Sequence, residues 1–221
     1  RHRRGAERII NGVRVIYAGR LATLSSAPLS PTLPLLLARE RPDLVHLHLP
    51  DPTGDIAQSI ARRTPLVITY HSDIVRQRRL LAGYAPLLRR TLRNAARIVA
   101  TSPNYVQSSP FLQPLADRCS VIPYGTDLER FSSADPQRVA ELRARFPGPM
   151  VLFVGQLRYY KGIEGLLQAL AQLPGVRAVL AGGEASVRRT TVEALAHRLG
   201  IAERVHLVGE QAADLPAYYH A

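Results

Sequence analysis

The sequence predicts an α/β fold made of two doubly wound parallel-sheet domains, both incomplete, and three observations carry that expectation. Short apolar, β-branched runs alternate with segments of helical periodicity, the pattern of parallel strands covered on both faces. The same alternation restarts after "RFPGPM" (145–150), where Pro147, Gly148 and Pro149 punctuate the chain as a linker does. At 221 residues with 46% hydrophobic content, the chain has apolar mass for one large domain or parts of two.

Within a first domain spanning 1–146, "VRVIYAG" (13–19), "DLVHLHL" (43–49), "PLVITY" (65–70), "RIVATS" (97–102) and "CSVIP" (119–123) read as buried strands. Helices are expected between them. "SPTLPLLLARE" has Ser30 as N-cap and Pro31 at the first helical position; "TGDIAQSIARR" and "RLLAGYAPLLRRTLRNAA" follow; "SPNYVQSS" repeats the Ser-Pro start at Ser102 and Pro103. In a second domain, 147–221, "MVLFVG", "VRAVLAGG" and "RVHLVGE" are strands, and "GIEGLLQALAQL", "SVRRTTVEALAHRLG" and "AADLPAYYHA" are helices. The chain starts without an obvious first strand and stops inside an apparent helix, so truncation at both ends is expected.

Charge is unevenly placed. Residues 1–145 carry 22 basic and 11 acidic side chains, whereas 146–221 carry 7 and 6, so the net +12 belongs almost wholly to the first part. Arg76, Arg78, Arg79, Arg89, Arg90, Arg93 and Arg97 follow Asp73 with no acid before Asp117. Such a series is either a solvated helix face or a patch that attracts an anionic membrane surface or a phosphorylated acceptor. Nucleic acid is not the expected partner: no recognition motif accompanies the charge, and 6% aromatic content offers few stacking platforms. No run of eighteen apolar residues or apolar leader occurs, and the single Cys119 lacks partners for a disulfide or thiolate metal site, so a cytoplasmic location is expected.

In open α/β sheets, ligands collect beyond the carboxyl ends of the strands. "VLFVGQLRYYKGIEGLLQAL" there places Gly155 at a strand end, then Arg158 and the chain's only lysine, Lys161, just before a helix. Glycine permits close backbone approach, and a helix start offers free N–H groups and positive partial charge, so the unit suits a diphosphate. Taken alone, a solvated basic turn is the commoner meaning of such a stretch. Gly182 and Gly183, then Gly209 and Glu210, end the next two strands and suggest one shared ligand edge. In the first domain, "VITYHSD" ends a strand in His71 and Asp73, open to reading as a metal site, a catalytic pair or an ordinary strand end. His46 and His48 share a strand face, yet without a third ligand a structural role is favoured over a metal. Asp51 and Pro52 follow in a loop where acceptor contacts are expected.

"VGQLRYYKGIEGLLQAL", "VIPYGTDLERF", "AGGE", "VHLVGE" followed by "LPAYYHA", "DLVHLHLPDP", "TYHSDIVRQRRL" and "RIVATSPNYVQSS" together resemble glycosyltransferase family 4, the group 1 glycosyltransferases. The resemblance is collinear over nearly the whole chain. It implies the GT-B fold, two Rossmann-like domains facing across a cleft. It also implies transfer of a sugar with retention from a UDP- or GDP-sugar to a saccharide or lipid-linked acceptor, in envelope polysaccharide or glycolipid synthesis. No cofactor and no metal ion are implied.

By the same resemblance, Gly155, Gln156, Arg158 and Lys161 form the donor-diphosphate site, with Gln156 where the family usually has arginine. Gly182, Gly183, Gly209 and Glu210 lie near the nucleotide. His71 contacts the donor sugar or phosphate, with Asp73 either orienting it or starting the arginine-bearing helix. The family's paired glutamates further along are not in this chain, so the fragment alone is expected to be inactive. The arginine-rich domain is then the acceptor side, with peripheral contact to the inner face of the membrane. The alternatives are a nucleotide-sugar epimerase or hydrolase of the same fold and, less favoured, a basic nucleic-acid-binding module.

Overall fold

The computed structural model describes residues 5–24, 27–60, 64–75, 78–211 and 213–221. Arg76 of the arginine series, residues 61–63 at the end of the second expected helix, and Ala212 lie outside the described residues, and Arg78 and Arg79 are described by backbone alone.

The chain opens with β1 (Ala6–Ile10) and β2 (Val13–Tyr17), which pair antiparallel from Ala6 opposite Tyr17 to Ile10 opposite Val13. This corrects the expectation of a buried parallel strand at 13–19. The reason is the Asn11-Gly12 turn: both residues have positive φ, 49° and 79°, the backbone a tight hairpin requires. Around the turn the hairpin's apolar side chains face outward, with Ile9 77% and Val13 63% exposed, and Val15, Ile16 and Tyr17 are half-buried. A second short hairpin joins β3 (Ala22–Leu24) to β4 (Ala27–Leu29). Helix α1 (Leu33–Glu40) starts later than expected: Thr32 takes the N-cap position, and the Ser30 hydroxyl donates instead to the Gly19 carbonyl at 2.7 Å.

The alternation then proceeds as the sequence predicts. β5 (Val45–Leu49), α2 (Pro52–Ile60), β6 (Leu66–Tyr70), α3 (Arg78–Asn94), β7 (Arg97–Ala100), α4 (Pro103–Ser108) and β8 (Cys119–Val121) form a parallel sheet in the order β5-β6-β7-β8. Ala85, Leu88 and Leu92 form the buried stripe of α3, spaced three and four residues apart, and meet Ile68, Tyr70 and Ile98 of the strands. Ser102 caps α4 as expected, its Oγ accepting from the Tyr105 N–H at 3.2 Å.

Next come α5 (Glu129–Ser132) and α6 (Pro136–Arg145), then β9 (Met150–Val154), α7 (Ile163–Ala171), β10 (Arg177–Ala181), α8 (Arg189–Arg198), β11 (Val205–Gly209) and α9 (Leu215–His220). Their sheet is parallel in the order β11-β10-β9. Neighbouring residues of β10 serve opposite faces. Ala178 and Leu180 pack with Leu167 and Leu170 of α7 and Val192 and Ala196 of α8, whereas Val179 packs with Leu142 and Phe146 and with Ala217 and Tyr218 of α9. Both faces are therefore covered, the doubly wound arrangement.

The compact units are Arg1–Gly125 and Thr126–Ala221. The proline-glycine punctuation places the division at 146/147, but residues 126–146 pack with the second unit because α6 supplies Leu142, and Phe146 directly after it, to that unit's core.

Candidate active site

In the first unit the ends of β5 and β6 bring histidines together. Consecutive parallel strands lie side by side with His48 opposite Thr69, and the ladder runs one residue further, His71 N–H donating to the Leu49 carbonyl at 2.9 Å. His48 Nδ1 and His71 Nε2 are then 2.8 Å apart, and the rings meet edge to edge, their centres 5.1 Å apart with 16° between planes. His46 extends the row, its ring 4.7 Å from that of His48 and its Nε2 hydrogen-bonded to Thr69 Oγ1 at 2.7 Å. At the other end His71 Nδ1 meets the Tyr124 hydroxyl at 2.5 Å, with the rings 6.0 Å apart. Tyr124 follows β8, where the Ile122 N–H donates to the Ala100 carbonyl. Desolvation by partial burial, then the neighbouring His48 and His46, hold the His71 imidazole below the usual histidine value. Among the described residues no group of three or more His, Cys, Asp or Glu side chains is placed to hold a metal ion.

Asp73 is separate from this row. Its Oδ1 accepts from the Tyr70 hydroxyl at 3.0 Å and the Ser109 hydroxyl at 2.8 Å. Ser109 Oγ also accepts the N–H groups of Phe111 and Leu112, at 3.3 Å each. Asp73 thus ties the β6 exit to the turn after α4. It neither hydrogen-bonds His71 nor starts the arginine helix, which begins at Arg78. Asp51 likewise acts locally, its Oδ1 accepting from Thr53 N–H at 3.2 Å at the head of α2, whose first residue is Pro52.

In the second unit the three strand ends converge as one edge. Gly155 N–H donates to the Ala181 carbonyl at 2.9 Å, Gly182 N–H to the Gly209 carbonyl at 2.7 Å, and Leu157 N–H to the Gly183 carbonyl at 2.9 Å. Gly155 holds φ at 145°, a region closed to ordinary side chains. A Cβ on Gly182 would lie 1.8 Å from the Gly155 carbonyl oxygen, so the close approach itself demands glycine. A Cβ on Gly183 would meet Glu210 Oε1 at 2.5 Å, which places Glu210 beside that strand end.

From this edge the chain makes a single 3-10 turn, Tyr159–Lys161, and Gly162 with φ 73° opens α7. Lys161 is exposed, its Nζ 5.8 Å from the Tyr160 ring centre. The Arg158 guanidinium donates twice to Gln156 Oε1, at 3.0 and 2.9 Å. Gln156 thereby holds the Arg158 guanidinium beside the strand end. A recess of about 200 Å³, lined by Arg158, Tyr159, Ile163 and Thr191 among others, lies beside this loop. A larger one of about 370 Å³, with Arg145, Arg189 and His206 among its walls, touches none of the glycine-edge residues.

Sequence reasoning missed the part played by His48 and Tyr124. Adjacency of sequential parallel strands was a usable signal for His48 against His71. None existed for Tyr124, which arrives from beyond a strand two places away in the sheet.

A family model described as Glycosyltransferase Family 4 matches residues 1–130, and one described as Glycosyl transferases group 1 matches residues 139–221. O-antigen chain mannosyltransferase C of Escherichia coli is 42% identical over 189 residues, covering 80% of this chain and 48% of that protein. D-rhamnosyltransferase WbpZ of Pseudomonas aeruginosa is 43% identical over 129 residues, 58% of this chain and 34% of its own length. The chain thus spans about half, or less, of these curated relatives. Among solved structures, Anabaena HepE in complex with UDP-glucose superposes with TM-score 0.63 at 26% identity, over 86% of this chain and 54% of that one. Sucrose-phosphate synthase from Thermosynechococcus elongatus does so with TM-score 0.73 at 25% identity, over 98% and 59%.

Proposed function

Because the chain belongs to Glycosyltransferase Family 4, we propose that the protein transfers a sugar, with retention, from a UDP- or GDP-sugar to a saccharide or lipid-linked acceptor in the synthesis of envelope polysaccharide or glycolipid. The observation that carries this reading is the glycine-lined edge of Gly155, Gly182, Gly183 and Gly209, leading directly into Arg158, Lys161 and the start of α7. Relatives named as a mannosyltransferase and a rhamnosyltransferase, and a structural neighbour holding UDP-glucose, support it.

The reaction breaks the bond between the anomeric carbon and a phosphate oxygen, and negative charge grows on the departing diphosphate. An acceptor hydroxyl makes the new bond to the anomeric carbon, and its proton passes to the departing diphosphate. Lys161, Arg158 steadied by Gln156, and the first N–H groups of α7 stabilise the leaving group where its charge develops. Gly155 and Gly182 let the diphosphate approach the backbone, while Glu210 and Gly209 stand near the nucleotide. His71 belongs to the donor side of the first unit, and Asp73 fixes the loop that carries it. No metal ion is assigned a step. The exposed arginines of α3 favour an anionic acceptor or peripheral contact with an anionic membrane.

A thermal-shift panel of nucleotides and nucleotide sugars tests the reading. A ligand held only by the native state raises the melting temperature by mass action. Stabilisation by a nucleoside diphosphate or nucleotide sugar, and none by the free sugar, is the expected result; no shift with any nucleotide would count against it.

A further inference from the structure

Past Gly155 the chain of the second unit leaves its sheet, and the loop after β10 runs alongside it. Leu157 and Glu184 bridge as parallel strands do, with the Leu157 N–H donating to the Gly183 carbonyl and the Val187 N–H to the Leu157 carbonyl, each at 2.9 Å. The Leu157 side chain is 2% exposed in the core that α7 and α8 share, and Val187 packs against the same core. The far end of the loop is fixed as well: Glu184 Oε1 accepts the Arg189 N–H at the head of α8, at 3.2 Å. From this anchored loop the Ser186 hydroxyl reaches further, its oxygen accepting the Tyr159 N–H at 3.1 Å. Tyr159 opens the 3-10 turn that ends in Lys161, and the Lys161 N–H closes it on the Arg158 carbonyl at 3.0 Å. Tyr159, Tyr160 and Lys161 are all exposed, so hydrogen bonds place this turn more than packing does.

We propose that Ser186 is a positioning residue whose hydroxyl fixes the first N–H of the turn and thereby sets where Lys161 Nζ stands when a diphosphate occupies the glycine edge. The proposal rests on the reading of Lys161 as a cation that meets the departing phosphate. A lysine is a compact charge on a flexible four-carbon stem, so its reach follows from where its backbone is held. To lower a barrier, that charge has to stand in place before the negative charge develops. Ser186 acts on it through the Tyr159 N–H, not on substrate. An alanine at 186 leaves the Leu157 ladder intact and withdraws only the acceptor.

In the full-length enzyme, Ser186→Ala should lower kcat by about 10- to 100-fold, the effect of displacing a catalytic group by about an ångström. Its melting temperature without ligand should stay within a few degrees of wild type, because the bond lies at the surface. Ser186→Thr keeps a hydroxyl on the same carbon and should retain most of the activity. On a Lys161→Ala background, Ser186→Ala should cost no more than about twofold further, since the two residues act as one unit. An equal loss in both backgrounds overturns the proposal, because Ser186 would then act elsewhere. Ser186→Ala with the turnover of wild type overturns it too. Amide hydrogen exchange by NMR reads the turn with no ligand present: faster exchange at Tyr159 and Lys161 in Ser186→Ala, with Leu157 and Val187 unmoved, supports it, and unchanged exchange at Tyr159 overturns it. Wild type that binds no nucleotide would instead sink the glycosyltransferase reading, with the exchange result still deciding whether Ser186 holds the turn.

Discussion

Lys161 is the residue on which the proposed chemistry leans most, because it is the chain's only lysine and sits at the last position before a helix opens. In the full-length enzyme, Lys161→Ala should cost about 2 kcal/mol or more of transition-state stabilisation, seen as a fall in kcat with folding unaffected. Asp55 makes a different prediction. It is fully buried on α2 with the Tyr84 hydroxyl bonded to its Oδ2, and its pKa is pushed up to about 6, by burial first, with hydrogen bonds from Tyr84 and Thr91 opposing. A raised carboxyl pKa means that the folded protein holds the proton more tightly than the unfolded chain. The stability this contributes is complete below the ordinary value of 3.8 and is lost as pH rises through about 6, on the order of 3 kcal/mol over the interval. Asp55→Asn should flatten that loss, and urea melts between pH 4 and pH 8 would measure it.

At the scale of elements, the second unit depends on how α7 ends. Arg204 Nη1 shares its two hydrogens among the carbonyls of Leu170, Leu173 and Val176, at 3.1, 2.7 and 2.8 Å. Leu170 lies in the last turn of α7 and Leu173 and Val176 follow it, so the guanidinium meets the negative end of the helix in both hydrogen bonding and charge. Arg204→Met retains the aliphatic stem and should destabilise the unit by about 1.5–3 kcal/mol, read as a lower melting temperature. Gly182→Ala acts on the strand-end loops instead. With the Gly155 carbonyl 1.8 Å from the new carbon, backbone must move, and nucleotide binding should fall together with about 1–3 kcal/mol of stability.

Much at this level was legible in the sequence. Among the described residues the parallel strands lie where apolar runs stand between glycine and proline punctuation, because a sheet covered on both faces leaves a continuous apolar signature in its strands. The opening hairpin was misread because β2 is apolar without being buried; only Asn11-Gly12 records the reversal. The glycine edge was legible since backbone crowding selects the residue type. The His48–His71–Tyr124 row and the partners of Asp73 were not, because they depend on which strand ends meet, and side-chain identity alone does not encode that.

At the scale of the molecule, charge separates from fold. Arg89, Arg90 and Arg93 lie exposed on α3, Arg90 opposite the stripe that fills the first core and Arg89 at its border, over the Phe111 ring. Binding to vesicles of anionic lipid should weaken by roughly 1 kcal/mol for each of these changed to Gln, and should fade as salt shortens the screening length. Equal binding at low and high salt would argue for a different surface.

The attachment of α6 decides where the chain can be cut. A fragment beginning at Thr126 keeps Leu142 and Phe146 over Val179 and Tyr218, so both faces of its sheet stay dry. A fragment beginning at Pro147 leaves α9 alone on one face and presents Val179 and Tyr218, no longer covered by Leu142 and Phe146, to other molecules, inviting association. Expressed side by side, the longer piece should elute as a dispersed monomer and the shorter one as aggregate, although it lacks only twenty-one residues and no strand of that sheet.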